Sequence, residues 1–549
     1  MQLQKQWIGI GTITIIVLGV ILNIFQAYQN SPTADEPGHL ASGVTQWRDG
    51  NFAYNTPHPP LTKLLAAIPV LFQSNTMVRF ANDAGKKFSD LNAANDFLYR
   101  SENPAERSQF FTFLGRLPMI LFWLAMVIVT SLWARKRWGA FAGLIAAGAL
   151  VFDPNLIGHG NLINTDVPLA AGFIATIWAL DRYLGAVTRK NLVILVVIFA
   201  LTQLTKFSAV ILWPLVIGLG LLRMILNKKM FSWKHWLTMS TSLIGGTAFI
   251  IWAAYGLQFT KVNISSSWNR PTHYFKKIVD FPIPAGNYFQ GLYETIKHNK
   301  FGHNAVLFGE VESHGRLEYF PIALATKTPA ITLGLLLLWT LWSIKPLLEK
   351  VRSHRVRSFD ALLFGLPPLI FFLSAMNSNL NLGIRHIFPV WPFIALAIAS
   401  LVTVTTKRWW KIVLGTSIGG LAITLAFAWP NTIAYFNAFA GGSANGHNVL
   451  QGSNYDWGQD AWRLRDFIAQ EKFTEYSVEL FGSVPENVVW PDRNRLLVDA
   501  DIAAGAKPTG VVFVSSGVLD RPNSNVDWLK TYSPTWRIGS TITGYDFRK

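Results

Sequence analysis

Asp35 and Glu36 stand side by side a few residues beyond the first apolar stretch of the chain, in Ser31-Pro-Thr-Ala-Asp-Glu-Pro-Gly-His39. Carboxylates beside a bilayer surface are costly unless a site uses them, and a carboxylate placed there can take a proton from a hydroxyl. Adjacent residues of a helix point about 100° apart, so only one of the two faces a given cavity. Both residues also suit a plain helix start, because Pro37 follows. Asp166, in Asn164-Thr-Asp-Val-Pro168, opens a later apolar stretch and has the same two readings. Two carboxylates from separate loops can converge on one site.

The cations that could meet an anion are few. Arg385 lies in Asn379-Leu-Asn-Leu-Gly-Ile-Arg-His-Ile-Phe-Pro389, at the mouth of a span, where its fork can grip a lipid-borne phosphate through two oxygens or anchor to headgroups. Lys206 interrupts two apolar stretches. His58 and Lys63, in His-Pro-Pro-Leu-Thr-Lys, precede an apolar run too short to span, which reads as an amphipathic or re-entrant helix at the interface. Either residue could hold a phosphate; Lys63 could equally snorkel to the headgroups. Glu310 and Glu312, in a loop leading to Lys327-Thr-Pro329, add acidic groups to a segment that could touch acceptor or donor.

The elements that must position these residues are membrane spans. Of 549 residues 51% are hydrophobic and only 14% charged, against about 25% in an ordinary soluble protein. Stretches long enough to cross a bilayer fall near 7–28, 111–134, 139–157, 165–184, 191–205, 207–226, 237–256, 329–349, 360–376, 387–404 and 412–429. The expected fold is therefore a polytopic α-helical membrane protein of about eleven transmembrane helices. The first stretch is long for a signal peptide and no small-x-small cleavage site follows it, so it is read as an uncleaved span.

The net charge of +17 is gathered in Arg135-Lys136-Arg137, Arg189-Lys190, Lys228-Lys229, Lys350/Arg352/Arg355/Arg357 and Lys407-Arg408/Lys411, between the spans. That pattern is topology information and points to anionic membrane lipids, with no nucleic acid as partner. The clustered side is expected to be cytoplasmic, with the N-terminus. The loop 29–110, the loop 257–328 and the C-terminus are then outside the cytoplasm, in a cell (inner or plasma) membrane. Zero cysteines exclude disulfides, thiolate metal sites and cysteine nucleophiles.

Residues 430–549 differ from the membrane part, 1–429. They hold 11 Lys/Arg against 13 Asp/Glu, with a helix-like stretch at 460–470 and β-branched runs at 476–481 and 510–515. A small extracytoplasmic α/β domain is expected there. No H-E-x-x-H, Walker loop or dinucleotide fingerprint occurs.

Taken in order, the Asp35-Glu36 pair, His58-Pro-Pro-Leu-Thr-Lys63, Asp166, Leu204-Thr-Lys206, Gly383-Ile-Arg-His386 and Ser453-Asn-Tyr-Asp-Trp-Gly-Gln-Asp460 resemble a known family along almost the whole chain. The pattern is similar to bacterial glycosyltransferase family 39, related to protein O-mannosyltransferases and the lipid A aminoarabinose transferase, in the C-type glycosyltransferase superfamily. The resemblance implies transfer of a sugar from a polyprenyl-phosphate carrier to an acceptor on the outer face of the membrane, with protein, lipid and glycan all left open. The acceptor-recognition domain of eukaryotic protein mannosyltransferases has no evident counterpart here, so a protein acceptor is not implied. It implies Asp35 as base, with Glu36 beside it, and Asp166 as the second acidic site. Arg385, Lys206, His58, Lys63 and His386 would hold the carrier phosphate, although the lipid A enzyme tends to carry Lys where His58 stands. No cofactor is required by this logic, since Lys and Arg can stabilise the leaving phosphate, while paired acids leave room for a divalent metal. The competing classes are a polysaccharide polymerase or ligase with the same lipid donor, and a transporter. A transporter is disfavoured by the absence of repeats and of ionisable groups at mid-bilayer.

Overall fold

The computed structural model describes residues 2–80, 91–226, 230–262, 281–352 and 359–548. Lys228, Lys229, Arg355, Arg357 and parts of both large loops (81–90 and 263–280) lie outside the described residues. Eight helices among the described residues are long and apolar enough to cross a bilayer, or up to ten if two bent pairs each count as one span. The chain is a multi-pass α-helical membrane protein. The stretch expected at 191–205 forms the Arg189–Gln203 helix, whose 15 residues fall short of a full span.

Both bends have local causes. Ala140–Val151 and Pro154–Gly160 meet at 67°, where the Asp153 side chain accepts from the backbone N–H groups of Asn155 and Leu156 and Pro154 opens the second helix. Tyr319–Lys327 and the helix starting at Ala330 meet at 113°. Pro329 lies in that break and cannot continue the helix before it.

The polar ends of the bundle are distinct. At one end Arg137 pairs with Asp181 (2.5 Å) and Asp360 (3.1 Å), tying Pro104–Trp138 to the last turn of Asp166–Gly185 and the first turn of Phe359–Met376. Asp166 begins the helix that Asp181 nearly ends, so it lies at the opposite end. There the chain after the first span (Gln2–Gln29) turns into the Glu36–Asp49 helix, and the short apolar helix expected after His58 runs over Leu61–Leu71. The two pack closely because Gly43 has no side chain: a Cβ there would lie 2.0 Å from the Lys63 carbonyl oxygen.

Residues 430–548 cover this second end. The Ala461–Glu471 helix packs on a four-stranded sheet, ordered Tyr476–Glu479, Val511–Ser515, Ile542–Asp546, Trp536–Ile538. The first pair is parallel (Tyr476 beside Val511) and the other two antiparallel. Val511–Ser515 is buried throughout, as a near-continuous apolar run in a central strand should be. The sheet's first two strands and its helix fall where the sequence places them, while Trp536–Ile538 and Ile542–Asp546 were not anticipated.

The two parts are interlocked. Ser31 N–H donates to the Gln459 carbonyl (3.1 Å), Ala34 N–H to the Trp457 carbonyl (3.2 Å) and Ser31 Oγ to the Gly458 carbonyl (2.6 Å). Ala461 N–H donates back to Ser31 Oγ (2.9 Å).

Candidate active site

Asp35 occupies the N-cap position of the Glu36–Asp49 helix, yet its carboxylate caps no backbone N–H. It turns instead to Arg385, whose Nη1 lies 3.3 Å from Asp35 Oδ2 and 3.0 Å from Asp166 Oδ2. The other oxygen of Asp166 accepts from Lys206 Nζ at 2.5 Å. One guanidinium thus joins carboxylates from two separate loops, and the aspartates are unequal. Asp166 is 1% exposed and pinned between both cations, whereas the Asp35 side chain is 41% exposed and touches Arg385 through a single oxygen. Asp35 meets Arg385 through one carboxylate oxygen only, whereas Asp166 gives one oxygen to each cation.

Arg385 is fixed from behind. Its Nε donates to Ser453 Oγ (3.1 Å), and its guanidinium lies 4.1 Å over the Trp457 ring. Ile384 N–H donates to Asn454 Oδ1 (2.8 Å). Gly383 makes this docking feasible: its φ is 109°, and a Cβ there would come within 2.5 Å of Ser453 Oγ. The Ser453–Trp457 segment is therefore the support of Arg385, a role that its position in the chain, 68 residues further on, hides. Lys327 is a second buried cation of this region, donating to the carbonyls of Ile433 (2.8 Å) and Asn454 (2.6 Å).

The His58–Lys63 segment closes another side. Leu61 N–H donates to the Leu204 carbonyl (3.1 Å), which brings this loop beside Lys206. Lys63 is 1% exposed and its ammonium donates to the Asn55 carbonyl. Burial draws the Lys63 pKa down to about 7, against the pull of Glu294. The His58 ring lies 5.1 Å from that of His39. The Gly286–Phe301 helix spans the gap between this loop and Arg385: Glu294 accepts from Thr56 Oγ1, and Asn299 Oδ1 accepts from Ser378 Oγ (2.7 Å) and Asn379 N–H (3.1 Å). Asp35, Asp166, Lys206, Arg385, His58 and Lys63 are thus gathered at one end of the bundle, with His386 directly after Arg385 on the same turn.

Three expected residues are placed elsewhere. Glu36, expected beside Asp35 in the chemistry, is 1% exposed and its two oxygens are gripped by Arg116 at 2.8 and 2.6 Å. They also accept from Ile163 N–H, Thr33 N–H and Thr33 Oγ1. Burial would raise the Glu36 pKa, but Arg116 and these donors outweigh it and hold the carboxylate below its ordinary value. That correction is physical: a carboxylate so fully bonded tethers the loop and is not free to accept a proton. Arg116 completes the tether by donating to the carbonyls of Ala27, Asn30 and Ser31. Glu310 and Glu312 sit on an exposed hairpin, Glu310 pairing with Arg316 at 2.9 Å and Glu312 capping Ser313 and His314 N–H. Neither joins the cluster.

Sequence reasoning missed His39, Trp457 and Arg116. Arg116 was the legible one, since a charge inside an apolar span calls for a buried partner. Among the described residues no three His, Cys, Asp or Glu side chains are grouped as a metal ion would need.

No family model and no curated protein matches the chain. Among solved structures it is similar to ArnT from Cupriavidus metallidurans bound to undecaprenyl phosphate, at 12% identity and a TM-score of 0.46, over 97% of each chain. It is also similar to the archaeal oligosaccharyltransferase AglB from Archaeoglobus fulgidus in complex with an inhibitory peptide and a dolichol-phosphate, at 10% identity and a TM-score of 0.42, over 85% of this chain and 58% of that one.

Proposed function

We propose that this protein transfers a sugar from a polyprenyl-phosphate carrier to an acceptor hydroxyl outside the cytoplasm. The observation that carries the reading is the pairing of a half-exposed carboxylate, Asp35, with a caged guanidinium, Arg385, at 3.3 Å. Glycosyl transfer from a phosphate carrier needs this combination: a base for the attacking hydroxyl and fixed positive charge where the phosphate departs. The order of motifs along the chain and its multi-pass helical fold support the same reading.

In this mechanism Asp35 accepts the acceptor proton as the hydroxyl attacks the anomeric carbon, and direct displacement inverts that centre. Arg385, with Lys206, Lys63, His58 and His386 around it, receives the carrier phosphate. Asp166 keeps Arg385 and Lys206 apart and oriented, so little reorganisation is needed as charge develops. Residues 1–429 form the transferase body and 430–549 an extracytoplasmic domain that holds Arg385 in place. A transporter has less support, because these ionisable groups cluster at one end of the bundle.

Incubating the purified protein in vesicles with radiolabelled polyprenyl-phosphate hexose or pentose tests the reading. Label is expected to appear on an acceptor; label that only crosses the membrane, or stays on the carrier, overturns it. The orientation is tested separately, by an alkaline phosphatase fused to the C-terminus. Activity is expected, and a dark phosphatase with a bright cytosolic fluorescent fusion would reverse the topology.

A further inference from the structure

We propose that His39 and His58 form a proton path from Asp35 to the carrier phosphate, delivering the proton of the acceptor hydroxyl to the departing phosphate. This rests on the glycosyl-transfer reading and adds to it a pair of residues and a destination for the proton.

His39 lies four residues after Asp35, on the same face of the Glu36–Asp49 helix, and its N–H donates to the Asp35 carbonyl at 3.2 Å. The close approach at Gly43 presses that face onto the segment carrying His58 and Lys63, so the two rings stand 5.1 Å apart, inclined at 60°. His39 is only 4% exposed, and the Nδ1 atoms of both rings are buried with no hydrogen-bond partner among the described residues. Two buried ring nitrogens that no other protein group holds stand side by side, next to the cationic cluster, where a proton could pass between the rings.

The groups that face the pair are Asp35 from the helix of His39, Lys63 from the next helix, Lys206 and Asp166 from the neighbouring loops, and Arg385 from the opposite side. Burial, with Lys63 next, presses His39 down to about 4; burial, with His39 next, presses His58 well below its ordinary value. Both rings are then neutral near pH 7. A neutral imidazole carries one N–H and one lone pair, so it can receive a proton at one nitrogen and release another from the second.

The step balances without an outside acid or base. The acceptor O–H breaks and its proton goes to Asp35 as its oxygen forms the new bond to the anomeric carbon. The old bond from anomeric carbon to phosphate oxygen breaks, and its electron pair stays on the phosphate, converting a singly charged diester into a doubly charged monoester. Asp35 passes its proton to His39, His39 passes one from its other nitrogen to His58, and His58 passes one to the phosphate oxygen. The carboxylate and both neutral rings are restored as opposite tautomers, and the phosphate leaves singly charged. A phosphate monoester, with its second pKa of about 6, is a stronger base than an ordinary carboxylate, so the transfer from a carboxylic acid to it runs downhill. The lower charge at the moment of departure loosens the product's hold on Arg385 and Lys206.

His39→Gln and His58→Gln keep size and hydrogen bonding but cannot relay a proton. In vesicles with labelled polyprenyl-phosphate sugar, His39→Gln is expected to lower kcat by about 100-fold or more while KM for the donor stays essentially unchanged; His58→Gln, which also borders the phosphate, lowers kcat as much and raises KM as well. The wild type needs no variant to be informative: kcat in mixtures of light and heavy water should fall on a curve, the mark of several protons in flight. An active wild type with a straight line, or a folded His39→Gln variant that keeps its kcat, overturns the path alone. A wild type that moves no sugar overturns the glycosyl-transfer reading instead.

Discussion

Asp35 Oδ2 and Arg385 Nη1 meet at 3.3 Å across 350 residues of chain. The contact joins the first loop after the first span to the start of one of the last spans, and in the mechanism proposed above it is where base and phosphate come within reach of each other. Because Asp35 spends one oxygen on Arg385, neutralising it should affect turnover before it affects folding. Asp35→Asn is expected to reduce turnover by about 100- to 10,000-fold with donor binding largely kept. Single-turnover kinetics beside donor titration measures both; near-normal turnover in a folded variant would remove Asp35 from the role of base.

Arg385 makes several contacts at once: two carboxylates, the Ser453 hydroxyl and the Trp457 ring. A lysine cannot satisfy these directions simultaneously. Arg385→Ala is expected to weaken donor binding by on the order of 1.5–3 kcal/mol, with Arg385→Lys recovering only part of it. Isothermal titration with the lipid donor decides the matter, and unchanged affinity in the alanine variant would leave Arg385 as a structural tie.

Glu36 and Arg116 should behave as a stability pair. Arg116→Met leaves a buried carboxylate without its counter-charge, which costs about 3–5 kcal/mol. Because the folded Glu36 pKa is depressed, its contribution is present above the unfolded value of 4.5 and is lost as pH falls through the folded one. A thermal melt in detergent reads the loss directly. Arg116→Met melting at the wild-type temperature would contradict the tether.

Asp456 has the opposite sign. Its oxygens accept from Gly517 N–H (2.7 Å) and Gly458 N–H (3.1 Å), but burial outweighs them and pushes its pKa up to about 7. A carboxyl raised in the folded state stabilises it below the unfolded value of about 4 and loses that contribution as pH rises through about 7. Between about pH 4 and 7 the melting temperature of the wild type should therefore lose ground relative to that of Asp456→Asn, whatever the slope set by the other groups. Equal slopes for the two proteins would be the contrary result.

Much of this was readable from residue types and order, for identifiable reasons. The spans announce themselves because hydrocarbon demands long apolar runs, and the isolated cations Lys206 and Arg385 stood out because they interrupt or flank such runs. Asp35 and Asp166 were ambiguous with helix starts. Both do stand at helix starts, and only their distances to Arg385 reveal where their side chains turn. Glu36 differs from Asp35 by one position and one helical rotation, enough to send it to Arg116. The bends at Asp153 and Pro329 escaped a reading based on apolar length, which averages over a local cap or proline. His39 escaped too, since a lone histidine in a short helix signals nothing until a second ring is packed against it. The hold of Ser453 and Trp457 on Arg385 depends wholly on long-range packing.

The interlock of Ser31 and Ala34 with Gln459, Trp457 and Gly458 bears on how the protein is made. Loop and clasp are separated by more than four hundred positions, so the first loop is synthesised that far ahead of its partners. Until the final stretch is translated and has reached the same side of the membrane, Arg385 lacks Ser453 and Trp457, and Ser31 lacks its backbone partners. A nascent chain of this protein is thus inserted long before it is assembled. A polypeptide cut before residue 453 should integrate into the bilayer without an ordered site, and supplying the missing tail as a separate fragment should complete it.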